Sequence, residues 1–355
     1  MHCFARAAHA RVVSFCAMAH SLPKVQEWFA VDAAIFRNEI VPQNKPAVLR
    51  GLLRHWPAVQ AGLQSHDALC EYLRRFARSR DVETLVGDPS IKGHFFYQDD
   101  MRGLNFVRRS EPFASALDRL RGHFNDATPP AIAIQAAAVP DYLPDFAREN
   151  VINVLGSAVA PRIWIGNAVT VAAHFDPSEN LGCVVGGRRR FTFFPPEQLP
   201  NLYVGPFDFT PAGIPVSLVN IDAPDLTRYP RFERALAAAQ VAELEPGDAV
   251  YIPYFWWHHV RSLERFNVLV NYWWNDARPE LGSPFDCFLH GLSALRDLPP
   301  AQRAVWRMVF DHYVFQTGGD PLAHLAPEHR GVLGATTPAE RAQIKEMLLR
   351  ALNRL

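Results

Sequence analysis

The sequence lacks the charge excess and the long apolar runs that would point to two common classes of protein. Lys+Arg and Asp+Glu each number 36 in 355 residues, so the formal net charge is zero. A surface that binds nucleic acid by neutralising phosphates needs an excess of positive charge. No apolar run approaches the roughly 20 residues that span a bilayer. We therefore expect neither a nucleic-acid partner nor a membrane partner.

Cysteine is also scarce. The five cysteines are widely spaced and include no CxxC pair. An odd number without paired spacing indicates neither a disulfide framework nor a thiolate metal site, and it is typical of a reducing compartment. Residues 1–21 carry Arg6 and Arg11 beside a short, interrupted apolar stretch, which is too short for the core of a signal peptide. We expect a disordered extension there and a cytoplasmic protein.

What the sequence does contain is material for a large core. Hydrophobic residues make up 49% of the chain, and the 29 prolines and 20 glycines indicate many turns. Short apolar runs are separated by Pro, Gly and Asp turns at 162–166, 181–185, 190–194, 249–252 and 266–274. Several short strands of this kind predict a β-sandwich or a barrel.

The flanking regions differ in character. The spacing of apolar residues predicts helices at 66–80 and 112–124 and a helical insertion at 231–240, whereas 45–59 reads as a strand followed by a turn at Trp56-Pro57. We expect residues 22–128 to flank a catalytic core at 129–280.

A helical region at 281–355 is expected to follow the core. Its last helix opens at Thr337 with the pattern of a capping box, in which Pro338 takes the first helical position and Glu340 the third. The apolar side of this helix needs a partner surface, which is either the protein's own core or a second subunit.

The strongest chemical signal is His174-Phe175-Asp176. On a strand, His174 and Asp176 project to one face and can take adjacent positions around a metal. A third ligand would complete a 2-His-1-carboxylate triad, which suits non-haem Fe(II). Two adjacent histidines follow a later strand. His258 shares its face with Trp256 and Val260 and is the inward-facing candidate, whereas we expect His259 to be an ordinary core or interface histidine.

The same alternation singles out an arginine and two asparagines. Arg189 shares a face with Phe191 and Phe193, and a charge there is costly unless it meets an anion such as a ligand carboxylate. Arg188 and Arg190 fall on the other face and read as solvated. Asn180 and Asn271 are candidate ligand contacts, because a buried amide needs hydrogen-bond partners. For Asn180, a purely structural role in the turn stays open.

These residues lie in motifs that resemble a known family. HFDPSEN (174–180) and GRRRFTFFPP (187–196) are followed by LEPGDAVYIPYFWWHHV (244–260) and VNYWW (270–274). In this order and spacing they resemble the motifs of the cupin-like Jumonji-C oxygenases. Within that family, they most resemble the motifs of the asparaginyl hydroxylase branch. The similarity covers about 22–280 and is densest in 162–274.

The resemblance implies a mainly β fold with flanking helices. Its core would be a double-stranded β-helix, also called a cupin or jelly roll, and the C-terminal helical element would form a homodimer. It also implies Fe(II) held by His174, Asp176 and His258, and a reaction in which substrate oxidation is coupled to decarboxylation of 2-oxoglutarate. The substrate would be a protein side chain or an amino-acid-like small molecule. The cosubstrate would contact five residues, with an arginine where the family usually has lysine: Arg189, Asn180, Asn271, Trp273 and Thr170.

Two departures from the family pattern leave alternatives open. The family's tyrosine for the distal carboxylate has no counterpart in 132–136, and its threonine before the first iron ligand is Val171 here, with Thr170 displaced by one. A cupin metalloenzyme that does not use 2-oxoglutarate and a non-catalytic cupin-fold binding protein are therefore the competing hypotheses. For residues 94–106, a substrate-binding loop and an ordinary packed surface loop remain equally open.

Overall fold

The structure is a computed structural model that describes residues 22–156, 158–277, 281–334 and 337–353. The expectation for residues 1–21 lies outside the described residues. The chain divides into two compact units, Met1–Asn275 and Asp276–Leu355. No helix in the described ranges combines the length and the apolar character that crossing a membrane requires.

In the described part of the first unit, the strands form one sheet of nine and one of four. The larger sheet contains β1 (Gln26–Phe29), β2 (Ala47–Arg50), β3 (Asp81–Gly87), β4 (Phe106–Pro112), β5 (Ala131–Ala138), β6 (Pro161–Gly166), β8 (Glu179–Gly186), β11 (Ala249–Ile252) and β13 (Asn267–Trp274). The smaller sheet contains β7 (Thr170–His174), β9 (Arg189–Phe194), β10 (Gln240–Leu244) and β12 (Trp257–Ser262).

The two sheets enclose a common core and form a jelly roll. The order is β1-β2-β11-β8-β13-β6-β5-β3-β4 in one sheet and β10-β9-β12-β7 in the other. Of these pairings β1 with β2 is parallel, and the others are antiparallel. Apolar side chains of both sheets pack against one another, such as Val184 and Val250 from the larger and Phe191 and Phe193 from the smaller. The predicted double-stranded β-helix core is therefore confirmed.

The first unit also contains short helices. They are α1 (Ala33–Ile35), α2 (Pro57–Gln64), α3 (His66–Phe76), α4 (Phe113–Gly122), α5 (Val139–Tyr142), α6 (Phe146–Glu149) and α7 (Phe232–Ala237). Residues of α2 to α4 bury the outer face of the larger sheet. The long connection from β9 to β10, including α7, covers the outer face of the smaller sheet.

Two local predictions for the N-terminal region need correction or extension. The turn predicted at Trp56-Pro57 is the start of α2, because proline lacks an N–H and is accommodated in the first turn of a helix. Strands β1 to β4 come from the region 22–128 that we expected to flank the core, and they lie in the larger sheet itself.

The second unit contains the helices α8 (Pro284–Leu295), α9 (Pro300–Tyr313) and α10 (Pro338–Leu352). The predicted capping box at the start of α10 is present, since Thr337 and Glu340 exchange side-chain and backbone hydrogen bonds. Many of the large apolar side chains in this unit are exposed, among them Leu289, Trp306, Met308, Val314, Phe315, Met347, Leu348 and Leu352.

Candidate metal centre

Three potential metal ligands converge at the end of the smaller sheet. His174 ends β7, Asp176 follows two residues later, and His258 is the second residue of β12. Strand pairing places His258 opposite His174, with 4.2 Å between their ring centroids. One ligand atom of each of the three residues lies within 4.8 Å of the others. Two imidazoles and one carboxylate form a donor set that fits Fe(II).

Backbone hydrogen bonds fix which imidazole nitrogen faces the site. His174 Nδ1 lies 2.9 Å from the Ala172 carbonyl oxygen, and His258 Nδ1 lies 3.0 Å from that of Trp256. A carbonyl only accepts, so each Nδ1 carries the proton and each Nε2 is left to bind a metal. Burial lowers the pKa of His258 to about 4, so its imidazole is neutral at pH 7, as a ligand must be.

A ring of polar contacts orients Asp176. Its Oδ2 accepts from Asn180 Nδ2 at 2.9 Å and from Trp273 Nε1 at 3.1 Å. Asn271 Nδ2 reaches Asn180 Oδ1 at 3.4 Å, and Trp164 Nε1 donates to Asn271 Oδ1 at 2.9 Å. Trp164 closes the ring by packing edge-on against Trp273. Asn180, Asn271 and Trp273 were predicted to contact the cosubstrate, and their contacts here hold the metal ligand in place.

Trp164 was not singled out from the sequence, although a signal for it existed. It stands between Ile163 and Ile165 in β6, and those two residues pack on the outer, helix-covered face of the sheet. Strand alternation therefore places Trp164 on the inward face. A tryptophan on the inward face needs a partner for its N–H, and here the partner is Asn271.

The triad opens into a narrow cavity between the two sheets. The cavity also contains the predicted anion-binding residue, Arg189. Its wall is otherwise mostly apolar or amide in character: Trp164, Val171, Asn180, Gly182, Phe191, Ile252, Val260, Leu269, Asn271 and Trp273. Within the described ranges, the lining therefore includes one cationic side chain, and no tyrosine or threonine.

Arg189 is a buried cation without an anion. It is 5% exposed, its Nε has no hydrogen-bond partner, and no carboxylate among the described residues forms an ion pair with it. Burial lowers the pKa of its guanidinium to about 10, so the group still carries its charge at pH 7. A buried charge of this kind is costly unless a ligand compensates it.

Thr170 is not placed as predicted. β7 carries an irregularity in which His174 pairs with His258 and Val171 with Val260, so one extra residue interrupts the alternation. Val171 therefore lines the triad cavity, whereas Thr170 pairs with Arg261 on the outward-facing side. The assignment of Thr170 to the cosubstrate is corrected accordingly.

The neighbouring basic residues behave differently from Arg189. Arg188 is half-exposed and pairs with Glu264 at 2.7 Å, as expected for a solvated strand position. Arg190 faces outward but is largely covered, and Glu243 neutralises it. His259 is buried on the outer face, where burial lowers its pKa to about 4. Of the three adjacent arginines, Arg189 alone lines the triad cavity.

The fold and the site together define a cupin-type jelly roll with a 2-His-1-carboxylate metal site. The chain matches the cupin-like domain family over residues 32–279 and belongs to that family. It is similar to the lysine-specific demethylase JMJ31 of Arabidopsis thaliana, at 29% identity over 69% of this chain and 48% of that protein.

Other relatives are proteins of the Jumonji type. The human bifunctional peptidase and (3S)-lysyl hydroxylase JMJD7 is 29% identical over 68% of this chain and 80% of its own length. The Jumonji C domain-containing protein 5 of Drosophila melanogaster is 28% identical over 67% of this chain and 57% of its own length. The chain thus spans only about half the length of two of these three relatives.

Proposed function

We propose that this protein is an Fe(II)- and 2-oxoglutarate-dependent oxygenase that hydroxylates a C–H bond of a protein side chain or of an amino-acid-like small molecule. The observation that carries the proposal is the unpaired Arg189 in the same cavity as the triad. A metal site and an anion site in one cavity suit a cosubstrate with a chelating end and a carboxylate end.

The charges of the cavity support a dianionic cosubstrate. Asp176 contributes one negative charge and Arg189 one positive charge, so a divalent metal leaves two positive charges uncompensated. A keto acid with two carboxylates supplies two negative charges, and a guanidinium can bind a carboxylate through two parallel hydrogen bonds. Arg189 therefore also disfavours the competing hypothesis of a cupin that acts without such a cosubstrate.

The residues of the cavity have distinct tasks in this proposal. His174 and His258 would hold the metal through Nε2, and Asp176 through a carboxylate that Asn180 and Trp273 orient. When bound, Fe(II) and 2-oxoglutarate supply oxidation of a C–H bond by dioxygen, coupled to decarboxylation of the keto acid to succinate and CO2. The apolar wall residues exclude water from the reacting groups.

The relatives and one loop support a polypeptide substrate. The human relative is named a lysyl hydroxylase and the Arabidopsis relative a lysine-specific demethylase. Tyr97, in the loop 94–106, donates a hydrogen bond to the Phe209 carbonyl at 2.7 Å. Phe209 belongs to the connection between β9 and β10, and Val216 of that connection pairs with His174. The loop therefore lies beside the strand that carries the first ligand, where a substrate side chain would approach.

A homodimer through the C-terminal helices is part of the proposal. An apolar groove between α8 and α9 is lined by Leu292, Leu295, Trp306 and Phe310. An exposed groove lined by large apolar side chains is typical of an interaction site. Light scattering after size-exclusion chromatography should give a mass near twice 39.9 kDa. A monomer mass at micromolar concentration would contradict this proposal.

We further propose a cytoplasmic location without a nucleic-acid or membrane partner. The zero net charge and the free cysteines Cys70, Cys183 and Cys287 support it. Fractionation of cells that express the tagged full-length chain tests the location. Recovery in the membrane pellet or in an extracellular fraction would contradict it.

The central experiment is an anaerobic titration of the apo-protein with Fe(II) and then 2-oxoglutarate, followed by visible absorption. A metal-to-ligand charge-transfer band should appear, and an Asp176→Ala variant should not develop it. If iron binds without a band, the cupin without 2-oxoglutarate gains support. If iron does not bind, the non-catalytic binding protein gains support.

A further inference from the structure

The turn that leads into the third metal ligand contains a strained residue. Phe255 lies between β11 and β12 and has a φ of +66°. This is the left-handed region, in which the Cβ of an L-residue approaches the following carbonyl oxygen and which favours glycine. A bulky aromatic residue adopts such a conformation only when its surroundings stabilise it, and the contacts of Phe255 therefore call for an explanation.

Those contacts lead to the segment that carries the other two ligands. The Phe255 backbone N–H donates to the Asp176 carbonyl oxygen at 3.0 Å. Its ring stacks on Phe175 with 4.1 Å between centroids and 23° between planes. Phe175 is buried and is the residue between His174 and Asp176. Phe255 is thus joined to the first ligand segment by its backbone and by its side chain.

A second aromatic residue, at the start of β12, packs against the same Phe175 ring. The Trp257 ring meets Phe175 edge-on at 4.9 Å, and Trp257 is fully buried beside His258. The ligands line the cavity, whereas these rings belong to the separate core beneath α7. Contacts among these rings therefore join the two ligand segments on the side away from the cavity.

Strand pairing alone does not fix Asp176. β7 ends at His174 and β12 begins at Trp257, so the ladder sets the position of His174 against His258 and stops there. Asp176 lies beyond the last paired residue of β7. The Asp176 backbone is joined to the third ligand's segment by the hydrogen bond that its carbonyl oxygen accepts from Phe255.

We propose that Phe255 is a positioning residue of the metal centre. Its left-handed backbone and its stacked ring hold Asp176 at the correct distance from His258. The inference rests on the proposed function only in assuming that the triad binds a divalent metal. It predicts that metal affinity depends on a residue that touches no metal.

Two substitutions separate the ring from the backbone strain. Phe255→Ala and Phe255→Gly both remove the ring, but glycine adopts a positive φ without strain. The glycine variant should therefore have the higher Tm of the two. If the ring positions the ligands, both variants should bind metal about ten-fold more weakly, within the range for groups that support a metal ligand. Phe255→Tyr keeps the ring and should bind metal within about two-fold of the native protein.

A matched control comes from the same core. Tyr229 is also a partly buried aromatic residue, and its ring packs on Tyr203 at 5.0 Å. Its ring pairing is with Tyr203, which lies outside both ligand segments. Tyr229→Ala should therefore lower Tm while metal affinity stays within about two-fold of the native value.

The assay is anaerobic titration of the full-length apo-protein with Co(II), whose visible bands report coordination, with Tm measured on the same samples. Weaker binding and altered bands in both ring-deleted variants, but not in the tyrosine variant or the Tyr229 control, would support the inference. Native affinity in both ring-deleted variants would overturn it. If either variant does not fold, Phe255→Leu replaces it under the same criterion. Absence of Co(II) binding by the native protein would refute the triad itself and hence the proposed function.

Discussion

The sharpest prediction concerns Arg189, because its substitution should change two measured quantities in opposite directions. Arg189→Met removes the charge and keeps most of the side-chain volume. Burial lowers the pKa of this guanidinium from 12.5 to about 10. One pKa unit corresponds to about 1.36 kcal/mol, so burying the charged form costs roughly 3 kcal/mol. At pH 7 the group is protonated in the folded and the unfolded state alike, and the folded protein therefore bears the whole cost.

The apo-protein should accordingly become more stable in this variant, by up to roughly 3 kcal/mol in the free energy of unfolding. Affinity for 2-oxoglutarate should fall at the same time. A charge-assisted, two-pronged contact contributes about 2–4 kcal/mol, which corresponds to roughly a 30- to 700-fold increase in Kd. A site that is destabilising when empty and is compensated by its ligand would show both changes together.

Urea unfolding of the metal-free protein gives the first quantity, and calorimetric titration of the Mn(II)-loaded protein with 2-oxoglutarate gives the second. Arg190→Met is the control, because this neighbouring arginine is also largely covered but already has Glu243 as its counter-ion. It should gain no stability and should bind 2-oxoglutarate normally. An Arg189→Met protein that is less stable and keeps native affinity would refute the reasoning, since Arg189 would then be a structural residue.

Protonation of two buried histidines, loss of one contact to a metal ligand and a charge in the apolar groove should each have a measurable effect. Burial lowers the pKa of His258 and of His259 from 6.5 to about 4, so the unfolded chain takes up these protons first as the pH falls. The apo-protein should lose thermal stability between pH 6.5 and 4, and His259→Gln should make this loss shallower in circular-dichroism melts; an equally steep loss would contradict the burial argument. Trp273→Phe removes the N–H that donates a hydrogen bond to Asp176, and it should raise the Fe(II) Kd about ten-fold in an anaerobic titration. An unchanged Kd would show that Asn180 alone orients the carboxylate. Trp306→Glu places a charge in the groove between α8 and α9 and should give a monomer in sedimentation; a dimer of native stability would place the interface elsewhere.

The metal ligands could be predicted from sequence because short-range alternation and motif order both point to them. Alternation put His174 and Asp176 on one side and separated His258 from His259, the resemblance joined the three into one triad, and the structure brings them together. Arg189 was found by the same argument, since its face is shared with Phe191. The alternation separated it from Arg188 and Arg190, both of which have acidic partners.

What the sequence could not reveal depends on contacts between distant strands. The irregularity in β7 exchanges the roles of Thr170 and Val171, and it exists only in the pairing of β7 with β12. Within the polar ring around Asp176, the hydrogen bond from Trp164 to Asn271 joins residues that are 107 positions apart. Alternation showed that Asn180 and Asn271 need partners, but it could not show that they partner one another.

These departures from the family pattern alter how the cavity must work. Among the described residues that line the cavity, Val171 stands in place of a threonine, none is a tyrosine, and Arg189 is the one cation available to a distal carboxylate. A site with three anchors spreads the binding energy of that carboxylate, and loss of one anchor is partly compensated by the others. Here a single guanidinium supplies the binding energy of that carboxylate. Its charge-assisted contact is strong because the cavity is poorly solvated. The loss of affinity in Arg189→Met should therefore lie toward the upper end of the range given above, and a loss near the lower end would indicate a second anchor.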